Sequence, residues 1–116
     1  MSTIGVDIEQ IARIERIMAR RPQLLAKLFT PVERAYCEAK AHPAAHYTAR
    51  FCAKEAVAKA LRLPPRWLQI EVVRGSVGPP TIHASGRVAE LLADRTIHLS
   101  LSHAGEYAIA MIMIEL

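Results

Sequence analysis

Two carboxylates stand out in this sequence because of the segments in which they occur. Asp7 lies near the end of an apolar, β-branched segment, and Glu55 lies in the middle of an alanine-rich stretch. If a helix carrying Glu55 packs across a strand carrying Asp7, the two charges repel each other and lose hydration, and a bound cation relieves both costs. Oxygen ligands favour Mg²⁺, which usually takes one or two carboxylates and keeps several waters. The simpler alternative, which spacing alone favours, is that Asp7 caps a helix and Glu55 pairs with Lys59 at i+4.

A second candidate group consists of four charged residues on one predicted helix: Arg50, Lys54, Glu55 and Lys59. Glu55 and Lys59 share one face, and Arg50 and Lys54 share another, because residues four apart are neighbours on a helix. A metal-binding carboxylate beside an ammonium group suits phosphoryl transfer, since the metal bridges phosphate oxygens and the lysine neutralises the charge that develops on them. An ordinary solvated helix surface is the alternative explanation of these charges.

A third candidate is the segment 100–103, Ser-Leu-Ser-His, at the end of a predicted strand. His103 could hydrogen-bond a phosphate or ribose there, or it could only fix the turn that follows. No G-x-S-x-G elbow accompanies it, which argues against a serine hydrolase. No glycine-rich phosphate loop occurs either, so side chains, a metal or helix ends must hold any phosphate. The remaining histidines show no metal-ligand spacing and are interpreted as ordinary loop or strand residues: His42, His46, His83 and His98.

Composition indicates a globular protein. Of 116 residues, 52% are hydrophobic and 22% are charged, which supports a packed core in one domain over residues 1–116. Two cysteines are too few for a disulfide scaffold. The N-terminal segment does not have the pattern of a signal peptide. No membrane-spanning helix is predicted, because the longest apolar run is eight residues. We therefore expect a cytoplasmic protein with no membrane partner. The net charge is +6 over residues 1–70 and −2 over residues 71–116, so the first part favours an anionic partner.

Hydrophobic spacing predicts a strand, then helices, then mostly strands. The predicted helices cover residues 9–20, 23–29, 30–41, 45–62 and 86–93, and the predicted strands cover residues 3–8, 68–73, 81–84, 97–102 and 107–115. A capping box is predicted at Thr30, Pro31 and Glu33. A joint between two helices is predicted at His42-Pro43, and a hairpin turn is predicted at residues 103–106. Gly5 within the first strand indicates either a bulge or a close backbone approach. This order predicts an α+β fold rather than a doubly wound sheet.

Four segments together carry a resemblance to a known family. They are GVDIEQIAR at residues 5–13, FTPVE at 29–33, RFCAKEAVAKAL at 50–61 and SLSHAGEYAIA at 100–110. In this order the sequence resembles the bacterial-type 4′-phosphopantetheinyl transferases, the holo-acyl-carrier-protein synthases. The resemblance spans nearly the whole chain. It implies an enzyme that moves 4′-phosphopantetheine from coenzyme A to a serine of an apo acyl carrier protein and releases adenosine 3′,5′-bisphosphate.

The resemblance also implies roles for individual residues. By this likeness, Asp7 and Glu55 are the Mg²⁺ ligands, Glu55 and Lys59 are catalytic, and Lys59 lies near the pyrophosphate. The implied coenzyme A contacts are Arg50, Lys59, His103, Gly78 and Pro79. The implied contacts to an acidic carrier protein lie on or near the first helix: Arg13, Arg16, Arg20 and Lys27, with Arg21 as a helper.

The sequence departs from the family pattern at two places. Residues 61–65 replace a glycine-rich turn, and Gly78-Pro79-Pro80 replaces a Gly-Lys-Pro sequence, so contacts to the adenine and the 3′-phosphate are expected to differ.

The family is usually a homotrimer with sites between subunits, and the apolar run 111–114 is compatible with an intersubunit core. One competing hypothesis is a nucleic-acid-binding module, but the sequence contains no known nucleic-acid-binding motif. The other is a family member that binds a carrier protein without catalysis, and the intact set of Asp7, Glu55 and Lys59 argues against it.

Overall fold

The computed structural model describes residues 1–115 as five helices, five strands and a short 3-10 helix. The strands are β1 (Ser2–Gln10), β2 (Ile70–Val73), β3 (Thr81–Ala84), β4 (Thr96–Ala104) and β5 (Tyr107–Glu115). The helices are α1 (Ile11–Arg20), α2 (Leu24–Leu28), α3 (Pro31–Glu38), α4 (Pro43–Leu61) and α5 (Gly86–Leu92), and the 3-10 helix is Trp67–Gln69. The α+β class and the order of the elements are confirmed. Among residues 1–115, no helix has the length and apolar character needed to cross a bilayer.

Two antiparallel sheets organise the strands. The larger sheet has the order β1-β5-β4, and β2 pairs with β3 in the smaller one. The register between β1 and β5 is continuous, from Ser2 opposite Glu115 to Gln10 opposite Tyr107. An unbroken register leaves no extra residue for a bulge. Gly5 therefore marks the other alternative, a close backbone approach.

Helix α4 lies across the inner face of the larger sheet. Its alanines are buried against small residues of β5, and the main core forms between them. The β5 residues that face the helix alternate with outward-facing ones, as a strand requires. The inward residues are Ala108, Ala110, Ile112 and Ile114. Small side chains on both elements allow the helix and the sheet to approach closely, which brings β1 against the middle of α4.

The start of α3 follows the predicted capping box. Thr30 Oγ1 accepts a hydrogen bond from the backbone N–H of Glu33, and the Thr30 N–H donates to the Glu33 carboxylate at 2.9 Å. Pro31 occupies the first turn, where its missing N–H costs nothing. The helix ends at Glu38 rather than near residue 41.

The boundaries of other predicted elements also need correction. Residues 9 and 10 belong to β1 rather than to the first helix, which begins at Ile11. Residues 67–69 form the 3-10 helix rather than the start of a strand, so β2 begins at Ile70. The predicted joint at His42-Pro43 is instead the beginning of α4, with His42 at the N-cap and Pro43 in the first turn. Strand β4 continues to Ala104, so the hairpin turn contains only residues 105–106.

A buried ion pair ties α4 to the segments beside it. Lys54 is fully buried, and its Nζ donates to Glu33 Oε1 at 2.6 Å and to the backbone carbonyls of Leu28 and Trp67 at 2.8 and 2.7 Å. The other oxygen of Glu33 accepts from the Val72 N–H at 2.8 Å. Every donor of the ammonium group is thus satisfied, which a charge in this environment requires. The interpretation of Lys54 as a solvated surface residue is wrong.

Candidate active site

Asp7 and Lys59 form the first part of the site, where β1 crosses α4. Lys59 Nζ donates to Asp7 Oδ1 at 3.0 Å and to the backbone carbonyl of Val6 at 2.9 Å. The Asp7 side chain is 9% exposed and that of Lys59 is 53% exposed, so the pair lies at the edge of the core with the ammonium group reaching solvent. Within residues 1–115, Asp7 Oδ2 is buried and has no hydrogen-bond partner. An unsatisfied buried carboxylate oxygen is costly unless a ligand completes it.

Glu55 lies one helical turn before Lys59 and faces the same place. Burial is the largest cause that raises the pKa of the Glu55 carboxyl above its ordinary value, and the negative charge of Asp7 adds to it. The positive charge of Lys59 partly offsets both effects. Asp7 and Glu55 are therefore close enough to repel each other. The structure brings these three predicted residues together.

The alternative arrangement of these charges is wrong. Lys59 pairs with Asp7 rather than with Glu55, and the N-cap position of the following helix belongs to Gln10, which makes no side-chain cap. Neither carboxylate is thus explained by a helix cap or a simple surface pair.

A third carboxylate, which the sequence interpretation overlooked, lies beside Asp7. Burial is the main cause that raises the pKa of Glu9, followed by a contact with the Asp7 carboxylate, and Arg13 acts against them. The sequence analysis placed Glu9 at the start of the first helix, whereas β1 extends to Gln10. Side chains at i and i+2 of a strand point to the same side, which puts Glu9 beside Asp7.

This donor set fits a hard divalent cation. Among residues 1–115, no group of three or more His, Cys, Asp or Glu side chains is arranged to hold a metal ion. Mg²⁺ needs only one or two protein carboxylates, however, because waters and substrate phosphate oxygens complete its coordination. The free Oδ2 of Asp7 and the neighbouring Glu55 carboxylate meet that requirement.

Arg50 forms the centre of a second cluster. The residue is 2% exposed, and its guanidinium lies 4.1 Å from the centroid of the Tyr36 ring. One Nη donates to the backbone carbonyl of His46 at 3.3 Å, whereas Nε is buried without a partner among residues 1–115. The description of this side of α4 as an ordinary solvated surface is wrong, because both Arg50 and Lys54 are buried.

A cavity of about 210 Å³ opens beside Arg50. His46, Arg74, Pro80 and His103 also line it, and the rings of the two histidines lie edge to face with centroids 5.7 Å apart. Burial is the main cause that lowers the pKa of His46, and the positive charges of Arg50 and His103 lower it further. His46 is on α4 four residues before Arg50, so the interpretation of it as an ordinary loop residue is wrong.

Gly78 and Pro79, which the family resemblance predicts to contact coenzyme A, lie outside this cavity. Pro80 lines it, but Gly78 and Pro79 are exposed and do not. Gly78 has a φ of +89°, which a glycine adopts without strain, so it serves the turn between β2 and β3. Arg74, at the start of the same turn, was missed by the sequence analysis, since nothing in the local pattern indicates which way the turn folds.

The two clusters lie on different faces of α4. Arg50 and Glu55 are five residues apart, which corresponds to a rotation of about 140° around the helix axis and a rise of about 7.5 Å. A single chain therefore presents the carboxylate cluster and the cationic cavity in different directions.

The predicted carrier-binding residues are all exposed. Arg16, Arg20 and Lys27 project from α1 and α2, and Arg13 Nη1 pairs with Glu9 Oε1 at 2.9 Å. Ile14 is the buried residue of α1, so the arginines occupy the outer side of an amphipathic helix.

The outer face of the larger sheet is apolar and open. Ile4, Ile8 and Met111 are 64%, 57% and 50% exposed, and register places Ile4 opposite Met113 and Ile8 opposite Ile109. Contiguous apolar area of this kind on a pleated surface is typical of an interaction site.

Comparison with known proteins identifies the family of this chain. Residues 3–112 match the family described as the 4′-phosphopantetheinyl transferase superfamily. The chain is 43% identical over 119 residues to the holo-[acyl-carrier-protein] synthase of Geobacter metallireducens, across 96% of this chain and 94% of that one. It is 43% identical over 121 residues to that of Moorella thermoacetica, across 99% and 94% of the two chains.

Solved structures agree with the sequence matches. The ACPS–CoA complex from Chronobacterium ammoniagenes is 27% identical to this chain, covers 99% of it and 97% of its own length, and superposes with a TM-score of 0.87. The holo-[acyl-carrier-protein] synthase of Neisseria meningitidis is 25% identical, with a TM-score of 0.88 over 98% of both chains. The chain therefore belongs to the 4′-phosphopantetheinyl transferase superfamily, as an enzyme of the holo-acyl-carrier-protein synthase type.

Proposed function

We propose that this protein transfers 4′-phosphopantetheine from coenzyme A to a serine hydroxyl of an apo acyl carrier protein, depends on Mg²⁺, and releases adenosine 3′,5′-bisphosphate. Family membership and the relative solved as a complex with CoA support the donor and the acceptor. The observation that carries the proposal is the convergence of Asp7, Glu55 and Lys59 where β1 crosses α4.

Asp7 and Glu55 are the proposed metal ligands. The buried Asp7 Oδ2 has a free acceptor position, and the mutual repulsion of the two carboxylates favours a cation between them. When bound, Mg²⁺ supplies Lewis-acid polarisation of the pyrophosphate and neutralises negative charge on its oxygens.

The transfer itself exchanges one phosphorus–oxygen bond for another. The serine oxygen of the carrier bonds to the phosphorus that bears pantetheine, and the bond from that phosphorus to the oxygen of the adenosine 3′,5′-bisphosphate leaving group breaks. The serine proton goes to Glu55, directly or through a water molecule.

Lys59 is the proposed stabiliser of the leaving phosphate. Its Nζ is held by Asp7 and the Val6 carbonyl and still reaches solvent, so its remaining donor is available to an incoming substrate. An ammonium group fixed in advance stabilises developing negative charge without reorganising.

The nucleotide end of coenzyme A is assigned to the cavity at Arg50 and His103. The buried guanidinium of Arg50 and the imidazole rings that line this cavity suit an anionic, aromatic ligand. Contacts from Gly78 and Pro79 stay a prediction from the family resemblance, because neither residue lines this cavity.

The acidic carrier is assigned to the outer side of α1 and to α2. Exposed positive side chains there would steer an acidic partner and set its orientation: Arg13, Arg16, Arg20 and Lys27.

A homotrimer with active sites between subunits is the proposed assembly. The apolar outer face of the β1-β5-β4 sheet supplies a surface that a second copy would cover. The orientation of the two clusters on different faces of α4 supports the same arrangement, because two protomers can serve one substrate with one cluster each.

Mass spectrometry of an apo acyl carrier protein tests the proposal. Incubation with this protein, coenzyme A and MgCl₂ should add the mass of one phosphopantetheine group to the carrier, and EDTA should abolish the addition. Glu55→Gln should lower the rate by at least about 100-fold, whereas Glu90→Gln, an exposed carboxylate on α5, should leave it unchanged. No mass addition on any carrier would refute the transfer, and a Glu55→Gln protein with near-normal turnover would refute the role of Glu55.

A further inference from the structure

Glu9 lies between two parts of the molecule that the proposed function assigns to different partners. It is on β1 two residues after Asp7, so both side chains are on the sheet face that α4 covers. Its Oε1 accepts a hydrogen bond from Arg13 Nη1 at 2.9 Å, across the junction between β1 and α1. The same carboxylate is therefore a neighbour of the proposed cation site and a partner of an arginine on the proposed carrier surface.

The charges around Glu9 are close to balanced. Burial is the largest cause that raises the pKa of its carboxyl, and the negative charges of Asp7 and Glu55 raise it further, whereas Arg13 lowers it. Lys59 in turn pairs with Asp7. Three carboxylates thus face two cations, so the excess negative charge that a metal ion would meet depends on whether Arg13 stays paired with Glu9.

The ion pair of Arg13 with Glu9 is open to exchange. The Arg13 side chain is 55% exposed and that of Glu9 is 19% exposed, so an incoming acid can reach the guanidinium while the carboxylate stays mostly buried. An ion pair with so exposed a member contributes little to stability, and a second carboxylate can compete for it. Within residues 1–115, Glu9 has no other ion pair that would replace Arg13.

The consequence rests on the proposed function, in which Arg13 meets an acidic carrier and Asp7 and Glu55 hold a divalent cation. We propose that Glu9 couples these two events: an acidic group of the carrier draws Arg13 away from Glu9, and the negative charge so released strengthens cation binding beside Asp7. Because coupling between two sites is reciprocal, a bound cation strengthens carrier binding by the same factor. The cation site is therefore strongest when the acceptor serine has arrived.

Titration with Mn²⁺ measures this coupling without depending on transfer activity. Carboxylates and water suit Mn²⁺ as well as Mg²⁺, and electron paramagnetic resonance counts the free Mn²⁺. Coenzyme A is present throughout, because its phosphate oxygens complete the coordination of the ion. The carrier is an apo acyl carrier protein whose acceptor serine is replaced by alanine, so no transfer occurs. Mn²⁺ bound by coenzyme A and by the carrier alone is measured separately and subtracted.

Two comparisons carry the expected result. Without the carrier, Arg13→Ala should bind Mn²⁺ about fivefold more tightly than the wild type, because Glu9 has lost its cation. In a Glu9→Gln background the same substitution should change the affinity less than about twofold. With the carrier, the wild type should bind Mn²⁺ about fivefold more tightly, and Glu9→Gln less than about twofold more tightly.

A matched control is available on α5. Arg87→Ala breaks another exposed arginine–glutamate pair, in which Nη1 lies 3.3 Å from Glu90 Oε2, and it should leave the Mn²⁺ affinity unchanged. An effect of Arg13→Ala that persists in full in the Glu9→Gln background would come from the removed positive charge alone and would overturn the role of Glu9.

Failure of this inference is distinguishable from failure of the proposed function. A wild type that transfers phosphopantetheine and binds Mn²⁺, but whose Mn²⁺ affinity responds neither to Arg13→Ala nor to the carrier, would overturn the coupling alone. Equal tightening by the carrier in the wild type and in Glu9→Gln would do the same. A wild type that binds no Mn²⁺ in the presence of coenzyme A would instead overturn the proposed cation site, and this inference with it.

Discussion

Replacement of Gly5 by alanine tests the close packing that builds the site. A Cβ atom at Gly5 would lie 1.9 Å from the carbonyl oxygen of Ala56 and 3.0 Å from the backbone nitrogen of Ala60. Both atoms belong to the backbone of α4, so no side-chain rotation can make room. An ordinary carbon–oxygen contact is about 3.3 Å or longer, and β1 and α4 must therefore separate locally by more than an ångström.

The expected cost follows from that geometry. Overpacking of a core typically costs about 1–3 kcal/mol, and a rigid backbone obstacle places Gly5→Ala at the upper end, about 3 kcal/mol. The entropic benefit of replacing glycine, about 0.4–1 kcal/mol, does not offset this cost. Since about 1 kcal/mol shifts the melting temperature of a domain of this size by about 4–8 °C, Gly5→Ala should melt about 12–24 °C lower. Transfer activity should fall as well, because Asp7 is two residues further along the displaced strand.

Thermal unfolding followed by circular dichroism measures the effect, with Gly75→Ala as the matched control. Gly75 is exposed, and the nearest atom to an added Cβ is the Val77 carbonyl oxygen at 3.8 Å. The control should therefore change stability by no more than about 0.5 kcal/mol. If Gly5→Ala melted within about 4 °C of the wild type, the approach of strand to helix could not be as tight as the structure has it.

Three further substitutions test other parts of the molecule. Lys54→Met should reduce the free energy of unfolding, measured by urea titration, by about 3–5 kcal/mol, because it leaves the Glu33 carboxylate buried without its partner. A loss below about 1 kcal/mol would contradict that reasoning. Arg20→Glu should raise KM for the apo carrier several-fold and leave KM for coenzyme A unchanged, and an unaltered carrier KM would remove α1 from the docking surface. Met111→Glu should convert the proposed trimer to monomers in light scattering, because it places a charge on the apolar sheet face. A wild-type protein that is monomeric at working concentration would refute the proposed trimer and its interfacial site.

Local features of the fold were predictable because local chemistry decides them. The capping box at Thr30 and Glu33 depends on residues three apart, and it is confirmed in detail. The two-residue period of a strand explains the alternation of inward and outward residues along β5. The same period places Leu99 and Leu101 of β4 on the inner face and Ser100 and Ser102 on the outer face. The 3-10 helix at residues 67–69 was missed because its alternating pattern is the same as that of a short strand.

The candidate site was predictable only in part. An apolar strand with Asp7 near its predicted end and an alanine-rich helix with Glu55 in its middle predicted where two carboxylates could meet. Glu9 was missed because the first helix was predicted to begin at that residue, whereas β1 continues to Gln10. The charge pattern of α4 was misleading for the opposite reason. That helix is buried on most of its circumference, so spacing alone could not distinguish the buried Lys54 from the exposed Lys59.

By itself, the amino-acid sequence determined the order of the main helices and strands, the family, and most of the residues that could bind a cation or a phosphate, because each depends on residue types at short separations. The tertiary structure alone decided which charges are buried, that Lys59 pairs with Asp7, and that Arg74 reaches the cavity of Arg50. These outcomes depend on desolvation and on contacts between residues far apart in the chain, and both are set only when the helix packs on the sheet.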